Sequence, residues 1–431
     1  MVTTMKEINH FFERRQVQLG MNFGLSRMET LLTNLGDPHK ALKYIHIAGS
    51  NGKGSTLQYM KEILLAEGIR VASFTSPYLT RVNEQLKINE DEISDKDFIA
   101  SFRELQPFIQ EMDSKGNGPT QFEILTAMAF SYFSKKEVDL VLMETGLGGR
   151  LDTTNVIQPF LSIITSISLE HTNILGNTLG EIASEKAGII KSGAPIISGV
   201  NAWEPAKVIE EKASSEGVPY YQLSKDFHIS NVKQSERGQS FTFSLGDKSI
   251  ENVEMQMLGR HQMENAALAI AAILLGMENI DEKSILKGIG KAKWDGRFEK
   301  ISGEPLVIID GAHNPAGIDV LIKTLKMHYP EYKYRFIFSS FKDKNYSLML
   351  RGLETEAIEI ILTEFFHNRA ADAHALYEKC SHENKSINKD WQAAIREGRQ
   401  KTGGKEALVI TGSLHFLSLV REFLSKFSVE E

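Results

Sequence analysis

A glycine-rich segment near the N-terminus, residues 49–55, reads Gly-Ser-Asn-Gly-Lys-Gly-Ser. It follows an apolar run and precedes a helical pattern, so its backbone N–H groups and the start of the helix can surround phosphate oxygens. Its lysine supplies a positive charge for the β- and γ-phosphates, and Ser55 or Thr56 supplies a hydroxyl near a metal ion. An ordinary strand-to-helix turn is the alternative, because the usual first glycine is missing and an extra glycine separates the lysine from the serine. The predicted nucleotide contacts are Asn51, Gly52, Lys53, Gly54, Ser55 and Thr56.

Three further polar residues, Ser76, Glu144 and His171, come soon after other apolar, β-rich runs. Ligands of open α/β sheets bind at the carboxyl ends of the strands, so these side chains should lie along one edge of a sheet. A carboxylate such as Glu144 can bind Mg²⁺ there, although a solvated charge at a strand end is the simpler alternative. A lone histidine such as His171 is, by itself, more often structural than a metal ligand.

The wider pattern resembles the folylpolyglutamate and dihydrofolate synthases of the Mur ligase superfamily. The phosphate loop has the family's G-x-N-G-K-G-S form, and residues 75–79 resemble its T-S-P-H-L loop, with Tyr78 in place of histidine. Residues 144–155 are close to E-x-G-L-G-G-R-x-D-x-T-N. Residues 294–299 resemble W-x-G-R-x-E, and residues 310–315 resemble the D-x-A-H-N-P segment of the superfamily. This ordered agreement covers nearly the whole chain.

The resemblance implies two Mg²⁺ sites beside ATP. Ser76 and Glu144 would hold one ion, and His171 with Lys186 would hold the second. In the family the lysine matching Lys186 is carbamylated, which converts a cation that repels metals into an oxygen donor. Residues 178–181 form a capping-box pattern that should start the helix carrying this lysine.

Other site residues also follow from the resemblance. Arg297 would bind ATP phosphate through two parallel hydrogen bonds, while Asp310 and Asn265 would contact the nucleotide. The expected catalytic residues are Lys53, Lys186 and His313, the last of which would lie near the reacting groups. The substrate contacts implied for a folate are Thr120, Phe122, Glu123, Gly149, Arg150, Asp152 and Asn155. Phe122 can stack on a pterin ring, although a core aromatic is an equal alternative.

The elements that must position these residues alternate between short β-rich runs and helical patterns from residue 41 onward. We expect an α/β protein whose N-terminal phosphate-loop domain is a doubly wound, mostly parallel sheet. Antiparallel hairpins at 227–257 should decorate that sheet, and a second, smaller Rossmann-like α/β domain should follow. The expected domains are 1–295, which binds ATP and is Mur-ligase-like, and 296–431, the C-terminal ligase domain, with a hinge segment at 294–303. Strands are predicted at 44–48, 69–74, 138–143, 161–167, 194–198, 306–309, 334–339, 358–362 and 408–411, and a helix at 56–67.

The composition of the 431 residues excludes several classes of protein. Lys and Arg total 49 against 56 Asp and Glu, and this net charge of -7 gives no footprint for nucleic acid or an anionic membrane. The longest apolar run, residues 266–275, is about half of what a membrane-spanning helix needs. One cysteine, Cys380, and no signal-peptide pattern in residues 1–18 predict a cytoplasmic protein. No interface pattern stands out, and we expect a monomer.

These residues together predict an ATP-dependent ligase that joins the amino group of L-glutamate to a carboxylate through an acyl-phosphate. The carboxylate substrate would be a folate, dihydropteroate or both. A Mur-type peptidoglycan ligase is one alternative, but residues 146–155 and the lack of a distinct nucleotide-sugar domain argue against it. A nucleotide-dependent ATPase or switch is another, although it would not need the segment that starts at Asp310.

Overall fold

The structure is a computed structural model that describes residues 2–19, 23–235 and 238–427. The chain divides into two compact units. Unit 1 comprises Met1–Val232, Ser240–Glu254 and Met263–Ala292, and unit 2 comprises Lys233–Gln239, Met255–Gln262 and Lys293–Glu431. The functional boundary expected between residues 295 and 296 stays a prediction.

The large sheet of unit 1 confirms the predicted doubly wound architecture. Its strands are β1 Tyr44–Ala48, β2 Val71–Phe74, β3 Leu86–Ile88, β4 Asp91–Glu92, β5 Leu140–Glu144, β6 Leu161–Ile164, β7 Ile196–Ser198 and β8 Tyr220–Gln222. They lie in the order β4-β3-β2-β5-β1-β6-β7-β8, with the β2–β3 and β3–β4 pairs antiparallel and the others parallel. Every residue of β1, β2, β5, β6 and β7 is buried, as expected for strands covered on both faces.

Helices cover both faces of this sheet. Those up to residue 291 are α1 Met5–Leu19, α2 Ser26–Asn34, α3 Lys53–Ala66, α4 Asp95–Ser114, α5 Gln121–Ser134, α6 Thr172–Leu175, α7 Leu179–Ala187, α8 Trp203–Glu216, α9 Arg260–Gly276 and α10 Glu282–Lys291. One core cluster includes Phe98, Phe102 and Phe130, and another lies around Ile164 and Ile209. Burying each such side chain stabilises the fold by roughly 1.5–3 kcal/mol. The predicted apolar run at 266–275 lies within α9 and is mostly buried.

The predicted hairpins exist, but they do not decorate the large sheet. Strands β9 Phe227–Ser235, β10 Gly238–Leu245 and β11 Lys248–Met255 form a separate sheet in the order β11-β10-β9. Gly246, with φ of 56°, lies in the two-residue turn that joins β10 to β11, and such a short turn requires an antiparallel pair. Alternating burial along β10 shows that only one of its faces is covered.

Unit 2 has the expected Rossmann-like α/β fold. Its strands are β12 Glu299–Gly303, β13 Leu306–Asp310, β14 Lys333–Phe338, β15 Ala357–Glu364, β16 Lys385–Asp390 and β17 Glu406–Thr411, and its helices are α11 Pro315–His328, α12 Tyr346–Glu354, α13 Ala373–Lys379, α14 Trp391–Lys401 and α15 Leu414–Phe427. The sheet order is β12-β13-β17-β14-β15-β16, and only the β12–β13 pair is antiparallel among the described strands. Apolar clusters lie on both faces of the sheet.

The segment predicted as a hinge, 294–303, is partly regular structure. Its second half forms edge strand β12, which pairs with β13 through a register shift between Lys300 and Ser302. This strand was not predicted because it contains charged residues, which an edge strand can accommodate. In the described parts of the chain, no helix combines the length and apolar character needed to cross a bilayer.

Candidate active site

The phosphate loop connects the carboxyl end of β1 to α3. The helix begins at Lys53, three residues earlier than predicted, because Gly52 adopts a left-handed conformation with φ of 88° at its N-cap. Lys53, Gly54 and Ser55 therefore form the first turn, where backbone N–H groups lack partners within the helix, whereas Thr56 N already donates to Gly52 O at 2.9 Å. This arrangement suits phosphate oxygens.

Two glycines of the loop are required by close packing. A Cβ atom at Gly49 would overlap Thr165 Oγ1, and one at Gly52 would overlap Asn265 Oδ1. Thr56 Oγ1 donates a hydrogen bond of 3.4 Å to the same Asn265 oxygen. Asn265, predicted to contact the nucleotide, thus lies directly beside the loop.

Residues after β6 hold the phosphate loop in place, and sequence reasoning missed them. Thr165 Oγ1 donates to Asn51 O at 2.6 Å, and Ser166 Oγ accepts from Asn51 N at 3.0 Å. Ser50 Oγ accepts from Ser168 N at 3.0 Å. The hydroxyl-rich run T-S-I-S at residues 165–168 was the available signal, since such side chains readily bond a neighbouring backbone.

Lys53 of the phosphate loop lies near Ser76 and Glu144, the predicted ligands of the first metal ion, at the ends of β1, β2 and β5. Lys53 Nζ lies 3.9 Å from Glu144 Oε1 and donates to Gly49 O at 3.0 Å. Glu144 is buried, and its Oε2 accepts from Ser76 N at 3.3 Å. A buried carboxylate with a neighbouring serine supplies the oxygen ligands that Mg²⁺ prefers when phosphates complete its coordination.

Lys186 and Glu170 form a buried ion pair next to this cluster. Lys186 Nζ donates to Glu170 Oε1 at 2.9 Å, and the two side chains are 2% and 9% exposed. Burial, with Lys53 nearby, lowers the pKa of Lys186, while Glu170 opposes that shift. Burial works to raise the pKa of Glu170, but Lys186 and Lys53 together hold it below its usual value. Sequence reasoning missed Glu170, although an acid directly before a candidate metal histidine was a signal.

His171 adopts a left-handed backbone conformation, with φ of 45° and ψ of 41°, at the start of α6. This conformation is uncommon for a residue other than glycine and often occurs at functional sites. Among the described residues, no group of three or more His, Cys, Asp or Glu side chains forms a complete metal cage. Glu144 with Ser76 fits a Mg²⁺ ion that is also bound by substrate, whereas unmodified Lys186 has no acceptor atom for a metal.

The predicted substrate loop packs against the end of α7. Arg150 N donates to Glu185 O at 2.7 Å, and a Cβ atom at Gly149 would lie 2.8 Å from the carbonyl oxygens of Glu185 and Lys186. Asn155 Nδ2 donates to the carbonyl oxygens of Arg150 and Gly188, both at 3.1 Å. The loop and the helix that carries Lys186 are therefore tied together.

Asp152 organises the same loop from within. Its Oδ2 accepts from Leu147 N at 2.7 Å, and its Oδ1 accepts from Thr154 N at 3.0 Å. Burial raises the pKa of Asp152, and these hydrogen bonds oppose the shift. Its role as a substrate contact stays a prediction.

The remaining predicted substrate residues lie at the start of α5. Thr120 and Glu123 form a capping box, and buried Glu123 also accepts two hydrogen bonds, of 3.0 and 3.2 Å, from Arg27 Nε. Between them Phe122 packs 5.7 Å, centroid to centroid, from Phe74. The structure thus gives Thr120 and Glu123 internal partners, and their contact with substrate stays a prediction.

The candidate residues of unit 2 surround the carboxyl end of β13. Asp310 accepts from Phe298 N at 2.8 Å and from Ala312 N at 2.9 Å. Burial raises the pKa of Asp310, and Arg297 works against that shift. His313 Nδ1 donates to the carbonyl oxygen of the preceding Gly311 at 2.8 Å, which fixes the ring near this strand end.

A second group of side chains in unit 2 was not predicted. His367 and His415 lie with ring centroids 4.9 Å apart, and Phe341 packs 5.0 Å from His367. These residues follow β15, β17 and β14, so they share the carboxyl edge of the sheet. Only their positions after three parallel strands could have indicated them from the sequence.

Comparison with known proteins gives consistent matches over both units. Residues 47–273 match the Mur ligase middle domain, and residues 296–414 match the Mur ligase, glutamate ligase domain. The chain is 41% identical over 415 residues to the dihydrofolate synthase/folylpolyglutamate synthase of Bacillus subtilis (strain 168), covering 95% of this chain and 96% of that one.

Solved structures agree with these matches. The Escherichia coli FolC protein in complex with DHPP and ADP has a TM-score of 0.90 at 27% identity, covering 99% of both chains. A bifunctional folylpolyglutamate synthase/dihydrofolate synthase with Mn, AMPPNP and L-glutamate bound has a TM-score of 0.86 at 28% identity, covering 98% of both.

Proposed function

Because this chain belongs to the dihydrofolate synthase/folylpolyglutamate synthase family of Mur ligases, we propose that it activates a folate or dihydropteroate carboxylate as an acyl-phosphate and couples it to L-glutamate. The chain is an ATP-dependent ligase with the Mur ligase fold. The observation that carries the residue-level proposal is the convergence of Lys53, Glu144, Glu170 and Lys186 beside one phosphate loop.

The reaction requires activation because a carboxylate oxygen is a poor leaving group. We assign ATP phosphate binding to the backbone N–H groups at the start of α3, with Lys53 and Arg297 neutralising charge as the phosphoryl group moves. Asn265 and Asp310 contact the nucleotide in this proposal. The amine of L-glutamate then attacks the acyl-phosphate, and His313 is assigned to the vicinity of the reacting groups. Amide, ADP and phosphate result.

Two Mg²⁺ positions are proposed, since a relative binds Mn together with a nucleotide analogue. Glu144 and Ser76 hold the first, and His171 with Lys186 holds the second. Bound Mg²⁺ supplies neutralisation of phosphate charge. The ammonium form of Lys186 cannot be a metal ligand, so we assign the second position to its carbamate. The burial that lowers the Lys186 pKa supports this assignment, because it is the neutral amine that attacks CO₂.

The folate-like substrate is assigned to the loop of residues 146–155 and the start of α5. Phe122 is half-buried and adjoins Gly146, so one face of its ring can stack on a pterin. We further propose a monomer, since no interface pattern stands out in the sequence. A cytoplasmic location is also proposed, because the single cysteine, Cys380, cannot form an intrachain disulfide.

Phosphate release tests the proposal. It should require ATP, a folate or dihydropteroate, and L-glutamate together, whereas an ATPase or switch would release phosphate without the last two. Lys53→Ala should lower turnover by several orders of magnitude. The control Lys61→Ala removes a second lysine of α3, which is buried, and should keep activity. Equal phosphate release without a folate and glutamate would contradict the function, and normal turnover of Lys53→Ala would contradict the assignment of Lys53.

A further inference from the structure

A chain of three buried side chains connects strand β1 to the substrate loop. His46 Nε2 lies 2.8 Å from Thr154 Oγ1, which in turn lies 2.6 Å from Asp152 Oδ1. His46 and Thr154 are fully buried, and Asp152 is 5% exposed. His46 belongs to the central strand that leads into the phosphate loop, and the two loop residues lie between β5 and β6.

The direction of each hydrogen bond follows from the number of hydrogens available. Asp152 accepts backbone N–H groups on both of its carboxylate oxygens, so it acts as the acceptor for the Thr154 hydroxyl as well. That hydroxyl has a single hydrogen, and it is used towards Asp152. His46 must then donate to Thr154, which places the imidazole hydrogen on Nε2.

The other ring nitrogen, His46 Nδ1, has no hydrogen-bond partner in the described part of the chain. Burial, with a smaller contribution from Lys191, lowers the pKa of His46 to about 3. A histidine in this setting is a fixed neutral donor. Its role is thus the reverse of the general base found in hydrolytic triads, where the imidazole accepts a proton.

We propose that His46 is a positioning residue for the carboxylate substrate: as the Nε2–H tautomer it orients the Thr154 hydroxyl, which holds the Asp152 carboxylate and with it the loop of residues 146–155. The relay couples the strand that presents ATP to the loop assigned to the folate. This inference rests on the proposed function for its kinetic consequence, but the tautomer and the direction of the relay do not depend on it.

Two pairs of variants separate this role from simple packing. His46→Leu and Thr154→Val interrupt the relay, whereas His46→Gln retains a donor near the Nε2 position and Thr154→Ser retains the hydroxyl. Thr154→Val removes a hydrogen bond to a carboxylate, so we expect KM for the folate substrate to rise about ten-fold or more in that variant. His46→Leu removes a weaker hydrogen bond between two neutral groups, so the expected rise there is about two- to ten-fold. KM for ATP should be unchanged, and the retaining variants should recover most of the folate affinity.

His39→Leu is the matched control. His39 is also a buried histidine with an unpartnered Nδ1 among the described residues, but it packs on Phe130 away from the relay. Its replacement should leave KM for the folate at the wild-type value. Equal effects of His39→Leu and His46→Leu would reduce the role of His46 to core packing.

Nitrogen-15 NMR of the folded wild-type protein tests the relay without an activity assay. We expect the His46 ring to remain the neutral Nε2–H tautomer from pH 8 to pH 5, and its Nε2–H signal to shift in Thr154→Val. An Nδ1–H tautomer, or titration near the ordinary pKa of 6.5, would overturn the inference even if ligation is confirmed. Absence of ligase activity in the wild-type protein would refute the proposed function. The NMR result would still test the relay independently.

Discussion

Glu170 Oε1 accepts a hydrogen bond of 2.9 Å from Lys186 Nζ, and both side chains are buried beside the phosphate loop. The pair fixes the orientation of the Lys186 side chain. It also means that removing the lysine alone leaves a buried carboxylate without its partner. Any test of Lys186 must therefore separate lost chemistry from lost stability.

We expect Lys186→Ala to lose ligase activity, and short carboxylates to restore part of it by placing oxygens in the vacated space. Loss of one partner of a buried ion pair costs about 3–5 kcal/mol, so the double variant Lys186→Met/Glu170→Gln should unfold at higher denaturant than Lys186→Ala and still be inactive. Mass spectrometry of native protein in bicarbonate should show the added mass of the carbamate on wild type only. Full activity of Lys186→Ala would contradict the proposal.

Arg297→Ala should weaken ATP use more than folate binding. Bidentate phosphate contacts are worth roughly 1.5–3 kcal/mol, which corresponds to about a 10- to 150-fold higher KM for ATP. Arg421→Ala is the control, because Arg421 pairs with Asp295 and Glu299 in the same segment of unit 2. Steady-state kinetics with each substrate varied in turn makes the distinction. A larger effect on KM for the folate would move Arg297 to another subsite.

Gly146→Ala should disturb the proposed pterin site. A Cβ atom there would lie 2.5 Å from ring atoms of Phe122, so the ring must turn. Loss of aromatic stacking costs about 0.5–1.5 kcal/mol, and KM for the folate should rise roughly two- to ten-fold. Gly290→Ala is the control, since its Cβ atom would meet only the carbonyl of Glu254 at 3.6 Å. An unchanged folate KM in Gly146→Ala would argue against stacking by Phe122.

Stability should fall between pH 6.5 and 5. Burial lowers the pKa of His46 to about 3 and that of His261 to about 4, whereas the unfolded chain takes up these protons near pH 6.5. The stabilising contribution is therefore complete above pH 6.5 and is lost as the pH falls towards the folded pKa values. Each histidine accounts for roughly 2 kcal/mol at pH 5. Asp152 and Asp310, whose pKa values burial raises, oppose this trend.

The histidine contributions can be measured one at a time. Urea unfolding of His46→Gln and His261→Gln should show a shallower loss of stability below pH 6, by up to about 1.4 kcal/mol per pH unit for each variant. His46 lies in unit 1 and His261 in unit 2, so two transitions, if resolved, should respond separately. Slopes equal to that of wild type would show that these histidines are protonated in the folded protein.

The sequence predicted the strands that carry the site because their residues are apolar and β-branched. β1 has the predicted bounds, and the other predicted strands differ at their ends by a few residues. The charged strands β12 and β16 escaped prediction, since at the edge of a sheet the pairing comes from the backbone rather than from apolar side chains. Helix α3 begins three residues before its predicted start. Its N-cap, Gly52, is recognisable from its left-handed backbone conformation and not from the sequence.

Side-chain partners were harder to predict than elements. Glu170 and Lys186 are 16 residues apart, and Arg27 and Glu123 are 96 residues apart, so their pairing depends on the folded sheet and helices. The same is true of the relay that begins at His46. Sequence motifs identified the residues with an expected chemical role. The buried residues that orient them belong to no local sequence motif, so the sequence did not reveal them.

The position of β1 between β5 and β6 has a consequence for local unfolding. Its backbone is hydrogen-bonded on both sides, so its amide hydrogens can exchange with deuterated solvent only when the middle of the sheet opens. The short outermost strands β4 and β8 can fray first without releasing the strand that leads into the phosphate loop. The proposed nucleotide site is thus anchored to the part of unit 1 that should open last.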